Sequence, residues 1–337
     1  MRPLIYVLFF IGAAACAADP SVPVGSEPES TASVMIPAAD VPGGQGTCGE
    51  ATVALQVLGS GGPFLRDGRA SSSYLLWVNG RARMMVDAGG GAFVRFGEAG
   101  ARIEDLRLLG ISHFHPDHSS DLPAILWVSN NFRSEPLPLI GPSRDEVFPG
   151  AVDFVSRLFD GADGAFPILS GTVGGDHLGF PLVVTEVDTK DSQPSLVFDE
   201  EDLKVSALGV PHNAPALAFW VEVENVSVVF GSDQIGTNPN FPEFARDASL
   251  LVMHLTNSES SAPNPIHALP SVVGRVAREA EARRLVLSHL TSVEREHRRF
   301  ETTSLADLPA NLAVVREHYK GEIIVASDLL CIDLGGS

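Results

Sequence analysis

The chain has 337 residues, 45% of them hydrophobic, enough for one large α/β domain with a substantial core. It carries 42 acidic against 23 basic side chains, a formal net charge of −19, which argues against a protein whose task is to grip a long nucleic acid through clustered Lys and Arg. Its three cysteines form no Cys-x-x-Cys pair, so a cysteine-ligated metal or a dithiol redox centre is not expected.

The chain starts with a short positive segment, Met1-Arg2, then an apolar run at 4–11 and small residues up to Cys16. That order predicts a secretory signal over 1–16 rather than a spanning helix, and hence an exported protein, periplasmic or membrane-anchored in a bacterium. Two processing routes stay open: a lipoprotein-type signal with Cys16 lipidated as the mature N-terminus, or plain cleavage after an Ala-x-Ala. Residues 17–47 are rich in Pro, Ser, Gly and Ala with almost no apolar periodicity, and read as a flexible linker ahead of a domain at 48–337. After the leader nothing is long and apolar enough to span a membrane, so membrane association is expected only through a lipid anchor at Cys16.

Apolar runs at 53–58 and 74–78 read as strands, joined past the cluster Gly59-Ser-Gly-Gly62. No Gly-Lys-Ser/Thr follows, so this is not a nucleotide-phosphate loop. The glycines are expected to supply positive φ angles and close backbone approach for a tight turn. Ser71, Ser72 and Ser73 open the second strand, and Ser72 is a candidate to line a pocket. A strand over 82–86 ends at Asp87, read either as a hydrogen-bond partner of a ligand loop or as a turn aspartate.

The most informative stretch follows an apolar segment at 106–111: Ser112-His113-Phe114-His115-Pro116-Asp117-His118. If 106–112 is a strand, His113 and His115 point to one side and grip one ion together. Asp117 and His118 leave in another direction, towards a second ion. Imidazole with some carboxylate suits Zn²⁺, and His-x-His-x-Asp-His is far more specific than a lone His-x-His.

Four later apolar runs each end in a candidate ligand: His212, Asp233, His254 and His289. Buried strands ending in polar residues bring those residues together where α/β sheets gather their loops. Helical rhythm appears over 121–131, 144–159, 270–282 and 308–319, and a last strand over 322–334. The Pro- and Phe-rich stretch 131–180 holds Phe132, Phe148, Phe154, Phe159, Phe166 and Phe180, which read as an apolar wall for an aryl group or as core.

The segments Leu58-Gly-Ser-Gly-Gly62, Arg69-Ala-Ser-Ser-Ser73, Val86-Asp-Ala-Gly89, His113 to His118, Val210-Pro-His212, Gly231-Ser-Asp233, His267 and Leu287-Ser-His289 carry a resemblance. The chain resembles metallo-β-lactamase-fold hydrolases of the ribonuclease Z-like and arylsulfatase-like branch. The resemblance implies an α/β fold of four αββα layers, two mixed sheets flanked by helices. It implies one zinc on His113, His115 and His212 and another on Asp117, His118 and His289, bridged by Asp233, with Mn²⁺ or Fe²⁺ as alternatives to Zn²⁺. His267 lies 22 residues before His289 and corresponds to the family's proton donor. Where the family shows a His-Glu or Glu-His pair, this chain has Met253-His254-Leu255, so His254 is taken as a pocket or outer residue. First and last strands lie near one another in this fold; in an oxidising compartment that suggests a Cys48–Cys331 disulfide, against two buried free thiols. A homodimer is also implied.

Only 21 positions separate His212 from Asp233, leaving no room for the long tRNA-gripping arm of ribonuclease Z, and the Ser-x-Arg-Tyr after the last ligand reads Leu290-Thr-Ser-Val293. Together with the charge, these departures favour small anionic phosphodiester or sulfate ester substrates over nucleic acid. The expected reaction uses a metal-activated hydroxide oriented by Asp117 and Asp233, with His267 protonating the leaving group. Lactonase, thioesterase, β-lactamase and tRNA 3′-processing activities on the same metals stay open, as does a non-catalytic zinc-binding module.

Overall fold

A computed structural model describes residues 48–64, 68–129, 132–175, 177–200, 203–260, 266–291 and 307–335. The expected leader, the linker and Cys16 lie outside the described residues. Alternation along the first strand, β1 (Val53–Gly59), decides the layering: Val53, Leu55 and Val57 enter one apolar cluster and Ala54 and Leu58 another, and all five are buried. A strand buried on both faces needs a layer on each side.

Five further strands, β2 (Ser73–Val78), β3 (Arg81–Val86), β4 (Leu108–Gly110), β5 (Leu137–Pro142) and β6 (Leu182–Val187), complete most of the first sheet. The second holds β7 (Ser195–Glu200), β8 (Leu203–Val210), β9 (Ala216–Val223), β10 (Val226–Phe230), β11 (Leu250–His254), β12 (Arg284–Ser288) and β13 (Glu322–Val325). A last strand, β14 (Cys331–Asp333), returns to the first. Strand order is β14-β1-β2-β3-β4-β5-β6 in one sheet and β13-β12-β11-β10-β9-β8-β7 in the other. Both are mixed: β1, β2, β3 and β14 pair antiparallel and β3 to β6 parallel, while β7 to β10 pair antiparallel and β10 to β13 parallel.

The sheets face each other across an apolar core that includes Tyr74, Leu76, Val86, Phe219, Val221 and Val252. The outer face of the first sheet is covered by α1 (Ala92–Glu98), α3 (Leu122–Ser129) and α4 (Ala151–Phe159), with the short α2 (Pro116–Ser119) leading into α3. The second sheet is covered by the short α5 (Phe241–Phe244), α6 (Pro270–Glu279) and α7 (Leu308–His318). This is the expected αββα sandwich. Among the described residues no helix is long and apolar enough to cross a membrane.

Four expectations about local structure need correction. The helix expected over 144–159 begins only at Ala151, because Asp145 Oδ1 takes the amides of Val147 (2.7 Å) and Phe148 (2.6 Å) into a turn that competes with helix. The strand expected over 106–112 shortens to Leu108–Gly110, so His113 and His115 sit on a loop and not on a pleat. The last run, 322–334, divides between the two sheets: Leu329 is left-handed (φ 61°) and Asp328 is held by the amides of Ser60 and Ala70. The glycines at 59, 61 and 62 do not take positive φ. They are needed for close approach alone, since a Cβ at Gly59 would stand 1.8 Å from the Ser71 carbonyl oxygen.

Cys48 and Cys331 form a disulfide spanning 283 positions, which ties the segment before β1 to β14.

Candidate metal centre

Strand ends deliver the polar residues. Asp87 follows β3, His113 and His115 follow β4 with Asp117 and His118 on the next short helix α2, His212 follows β8, Asp233 follows β10, His254 ends β11 and His289 follows β12. Asp87, Ser232 and His289 are all left-handed, at φ 58°, 56° and 56°. Each such residue costs roughly 1–3 kcal/mol and persists where surrounding structure fixes it, which is common at functional sites.

The side chains converge as two adjoining groups. Ligand atoms of His113, His115, His212 and Asp233 all lie within 4.8 Å of one another, and so do those of His118, Asp233, His254 and His289. In the first group His115 Nδ1 is 3.0 Å from His113 Nε2 and 3.3 Å from His212 Nε2. In the second, His118 Nε2 is 3.3 Å from His289 Nε2. Asp233 belongs to both: Oδ2 lies 3.5 Å from His212, 3.6 Å from His118 and 3.7 Å from His113, while Oδ1 lies 3.5 Å from His289. Asp117 stands beside the second group, with Oδ2 3.2 Å from His289 Nε2 and 3.8 Å from His118 Nε2.

Outer partners fix which nitrogen faces inward. His118 Nδ1 bonds Asp87 Oδ2 at 2.7 Å, and His212 Nδ1 bonds the Ile266 carbonyl at 2.9 Å. Neither oxygen can donate, so these Nδ1 atoms carry the protons and the Nε2 atoms present lone pairs. Thr256 Oγ1 meets His289 Nδ1 at 2.8 Å and Ser112 Oγ meets His113 Nδ1 at 3.1 Å. Inward lone pairs this close repel one another unless a cation lies among them. Imidazoles, a shared carboxylate and outer hydrogen bonds together fit divalent transition metals.

Electrostatics point the same way. Burial, and then the neighbouring imidazoles, hold His113 well below the ordinary histidine range; burial likewise lowers His115 and His212. Burial alone would raise Asp233 and Asp117, but His289, His267 and His118 hold Asp233 ionised, and His118 with His289 does so for Asp117. Neutral imidazoles and ionised carboxylates are the forms that bind metal. His118 is the exception, raised well above 6.5 because Asp87 and Asp233 outweigh its burial.

His267 precedes α6 by three positions and turns inward. Its Nδ1 is 3.8 Å from Asp233 Oδ1 and has no hydrogen-bond partner among the described residues, while the ring lies 5.5 Å from that of His212 and 5.3 Å from that of His289. Burial pushes it down to about 3, with Asp233 opposing. Ser72 is buried behind the site, its Oγ 3.4 Å from Tyr74 Oη, and does not line an opening. His254 enters the second group, with Nδ1 2.5 Å from Asp233 Oδ1.

Of the six phenylalanines, Phe159 and Phe180 are core, Phe154 stacks on Phe114 at 4.2 Å, and Phe132 and Phe166 are exposed. Phe148 alone among them is placed against a candidate ligand, edge to face with His115 at 5.5 Å, and its neighbour Val147 is 82% exposed.

Sequence reasoning missed Ser112, Thr256, the Ile266 carbonyl and Tyr74. The first two stand one or two positions from candidate ligands, a signal that was available. Tyr74 sits on an apolar strand and reads as core.

Residues 53–142 match the family model described as anti-Pycsar protein Apyc1. Ribonuclease Z of Clostridium acetobutylicum is 29% identical over 170 residues, 50% of this chain and 48% of that protein, so the match spans about half the relative's length. Ribonuclease Z of Mycolicibacterium paratuberculosis is 27% identical over 229 residues, 65% of this chain and 76% of that protein. Among solved structures, the metallo-β-lactamase fold protein YhfI from Bacillus subtilis superposes with a TM-score of 0.63 at 18% identity, covering 83% of this chain and 98% of its own. The short form of human tRNase Z gives 0.63 at 20% identity, covering 84% and 100%.

Proposed function

From a metallo-β-lactamase fold with a ribonuclease Z-like sequence, we propose that this chain is a metal-dependent hydrolase of small phosphodiesters or sulfate esters. The observation that carries this reading is the carboxylate of Asp233, shared between two adjoining histidine groups with His267 facing the same space. Two divalent metals, when bound, supply Lewis acidity towards a phosphoryl or sulfuryl oxygen and acidify water. The protein's own contributions are distinct. Asp117, beside His289, is held ionised and placed to accept a hydrogen bond from the attacking water and so orient it. His267, whose Nδ1 has no hydrogen-bond partner among the described residues, holds the proton for the leaving oxygen. Burial pushes its pKa down to about 3, so a proton on His267 depends on the charge of a bound anionic substrate to raise it.

The relatives are named ribonuclease Z and one structural neighbour tRNase Z, and those names support tRNA 3′-end cleavage as a second reading. The net charge of −19 supports the small-substrate reading, since every phosphate of a polyanion is repelled while a single anionic group is held locally by two dications. The Phe148 ring beside His115 supports an aryl leaving group. An exported location is part of the proposal, with a lipid anchor at Cys16 as its membrane-bound form, and the Cys48–Cys331 disulfide supports it because such bonds persist in oxidising compartments.

Metal analysis followed by a panel of chromogenic phosphodiester, sulfate ester, lactone, thioester and β-lactam substrates tests the assignment. Turnover confined to lactones, thioesters or β-lactams would move the activity to another bond type, and full metal occupancy without turnover of any class would favour a zinc-binding module.

A further inference from the structure

His254 is buried at the centre of the site, yet the sequence resemblance gives it no role among the metal ligands. Its Nδ1 lies 2.5 Å from Asp233 Oδ1, its Nε2 lies 3.2 Å from Tyr74 Oη, and its ring stacks on that of His289 at 4.5 Å and 19°. Tyr74 Oη is in turn 2.9 Å from Ser288 Oγ and 3.4 Å from Ser72 Oγ, and all these side chains are buried.

Two readings compete, a fourth ligand to the second metal or a support for the bridging carboxylate. Distances decide between them. Two donors on one tetrahedral zinc, each about 2.0–2.1 Å from the ion, stand roughly 3.3 Å apart. His118 and His289 meet that spacing at 3.3 Å. His254 Nδ1 and Asp233 Oδ1 are far closer, at hydrogen-bond distance, and Nε2 is engaged on the opposite side.

We propose that His254 is a positioning residue that donates Nδ1–H to Asp233 Oδ1, with Tyr74 locking this tautomer by donating its hydroxyl proton to Nε2. The Ser72 hydroxyl donates to the Tyr74 oxygen, and Ser288 Oγ, 2.9 Å away, is the competing acceptor for the Tyr74 proton. The network ties down one oxygen of Asp233 from behind, so the carboxylate cannot swing away from either histidine group. Its stack on His289 fixes a second candidate ligand with the same ring. Tyr74 and Ser288 come from β2 and β12, so the support joins both sheets.

The proposal rests on the metal-site reading, and its test separates the two. Zn²⁺ affinity is measured by competition with a chromophoric chelator for wild type, H254A, H254N and Y74F, and long-range ¹H–¹⁵N spectra of the metal-free protein report the His254 tautomer. H254A is expected to weaken the weaker-bound ion by about 10–100-fold, as loss of an outer partner does elsewhere. H254N, which keeps an N–H near the Nδ1 position, recovers most of that loss. In the spectra the wild-type proton sits on Nδ1, and Y74F populates both tautomers. Unchanged affinity in H254A, or an H254N loss as large as that of H254A, overturns the proposal, the latter by marking His254 as a ligand. A wild-type proton on Nε2 overturns it as well, and does so even if H254A does not fold. Absence of Zn²⁺ binding by wild type would instead remove the metal reading, while the tautomer result still decides whether His254 supports Asp233.

Discussion

Asp87 and His118 are joined by a 2.7 Å hydrogen bond from Nδ1 to Oδ2, and the same carboxylate accepts the Ser112 amide at 2.7 Å through Oδ1. One buried side chain therefore sets the tautomer of a candidate ligand and anchors the start of the loop that carries it. Asp87→Asn is expected to keep the shape and lose the function, because an amide can offer its N–H to His118 and turn Nε2 from acceptor to donor. Zn²⁺ affinity should fall by about 10–100-fold while the circular dichroism spectrum is retained. Unaltered affinity would make Asp87 a loop anchor only.

Gly62 packs against the His289 ring. A Cβ there would stand 2.7 Å from both His289 Cε1 and Thr291 Cγ2, closer than real contacts. Gly62→Ala is therefore expected to displace His289 and to lower Zn²⁺ affinity about tenfold or more, with a smaller effect on thermal stability. Calorimetric titration beside a melting curve measures both; a large loss of stability with normal metal binding would count against this placement.

Much of this was legible beforehand. His113, His115, His118, His212, Asp233 and His289 are spaced so that strand ends bring them together, and strand ends are readable as apolar runs. What the sequence hid has physical causes. The 144–159 helix looked continuous because periodicity does not register Asp145 capturing two amides. The split of 322–334 turns on Asp328 meeting Ser60 and Ala70, contacts some 260 positions away. His254 was read only as a pocket or outer residue because its role depends on Tyr74 from the other sheet, a tertiary contact that no local pattern encodes.

The disulfide closes almost the whole domain. Cys331→Ser, or reduction, is expected to cost about 2–5 kcal/mol and lower the melting temperature by several degrees, with the metal site intact. Identical melting curves with and without reductant would show that the bond does not contribute.

In the metal-free protein, stability should fall as pH drops below about 6.5. His254 and His267 are held at about 4 and about 3 by burial, and His113, His115 and His212 are lowered as well. The unfolded chain thus takes up protons first as pH falls from 6.5 towards 3, and stability is lost across that window. His118, raised by its carboxylates, is protonated in folded and unfolded chain alike below 6.5, and its stabilisation is lost only as pH rises above that value. Chelated protein should melt lower at pH 5 than at pH 7; a higher melting temperature at pH 5 would contradict the buried neutral imidazoles.

His267→Ala is expected to bind metal normally and lose turnover most severely for esters with poor leaving groups, because a proton donor matters most where the departing oxygen is basic. Comparing alkyl and nitrophenyl phosphodiesters in wild type and variant measures this. An equal effect on both removes His267 from proton transfer.

The most direct test of a small-ester hydrolase is a side-by-side measurement of kcat/KM for bis(4-nitrophenyl) phosphate and for a tRNA precursor at physiological salt, with Zn²⁺ or Mn²⁺ present and after chelation. The expected result is metal-dependent cleavage of the small ester, abolished by chelation and restored by metal, with little processing of the tRNA. Efficient maturation of the tRNA 3′ end, at a rate matching or exceeding that on the small ester, would contradict it and make the chain a ribonuclease.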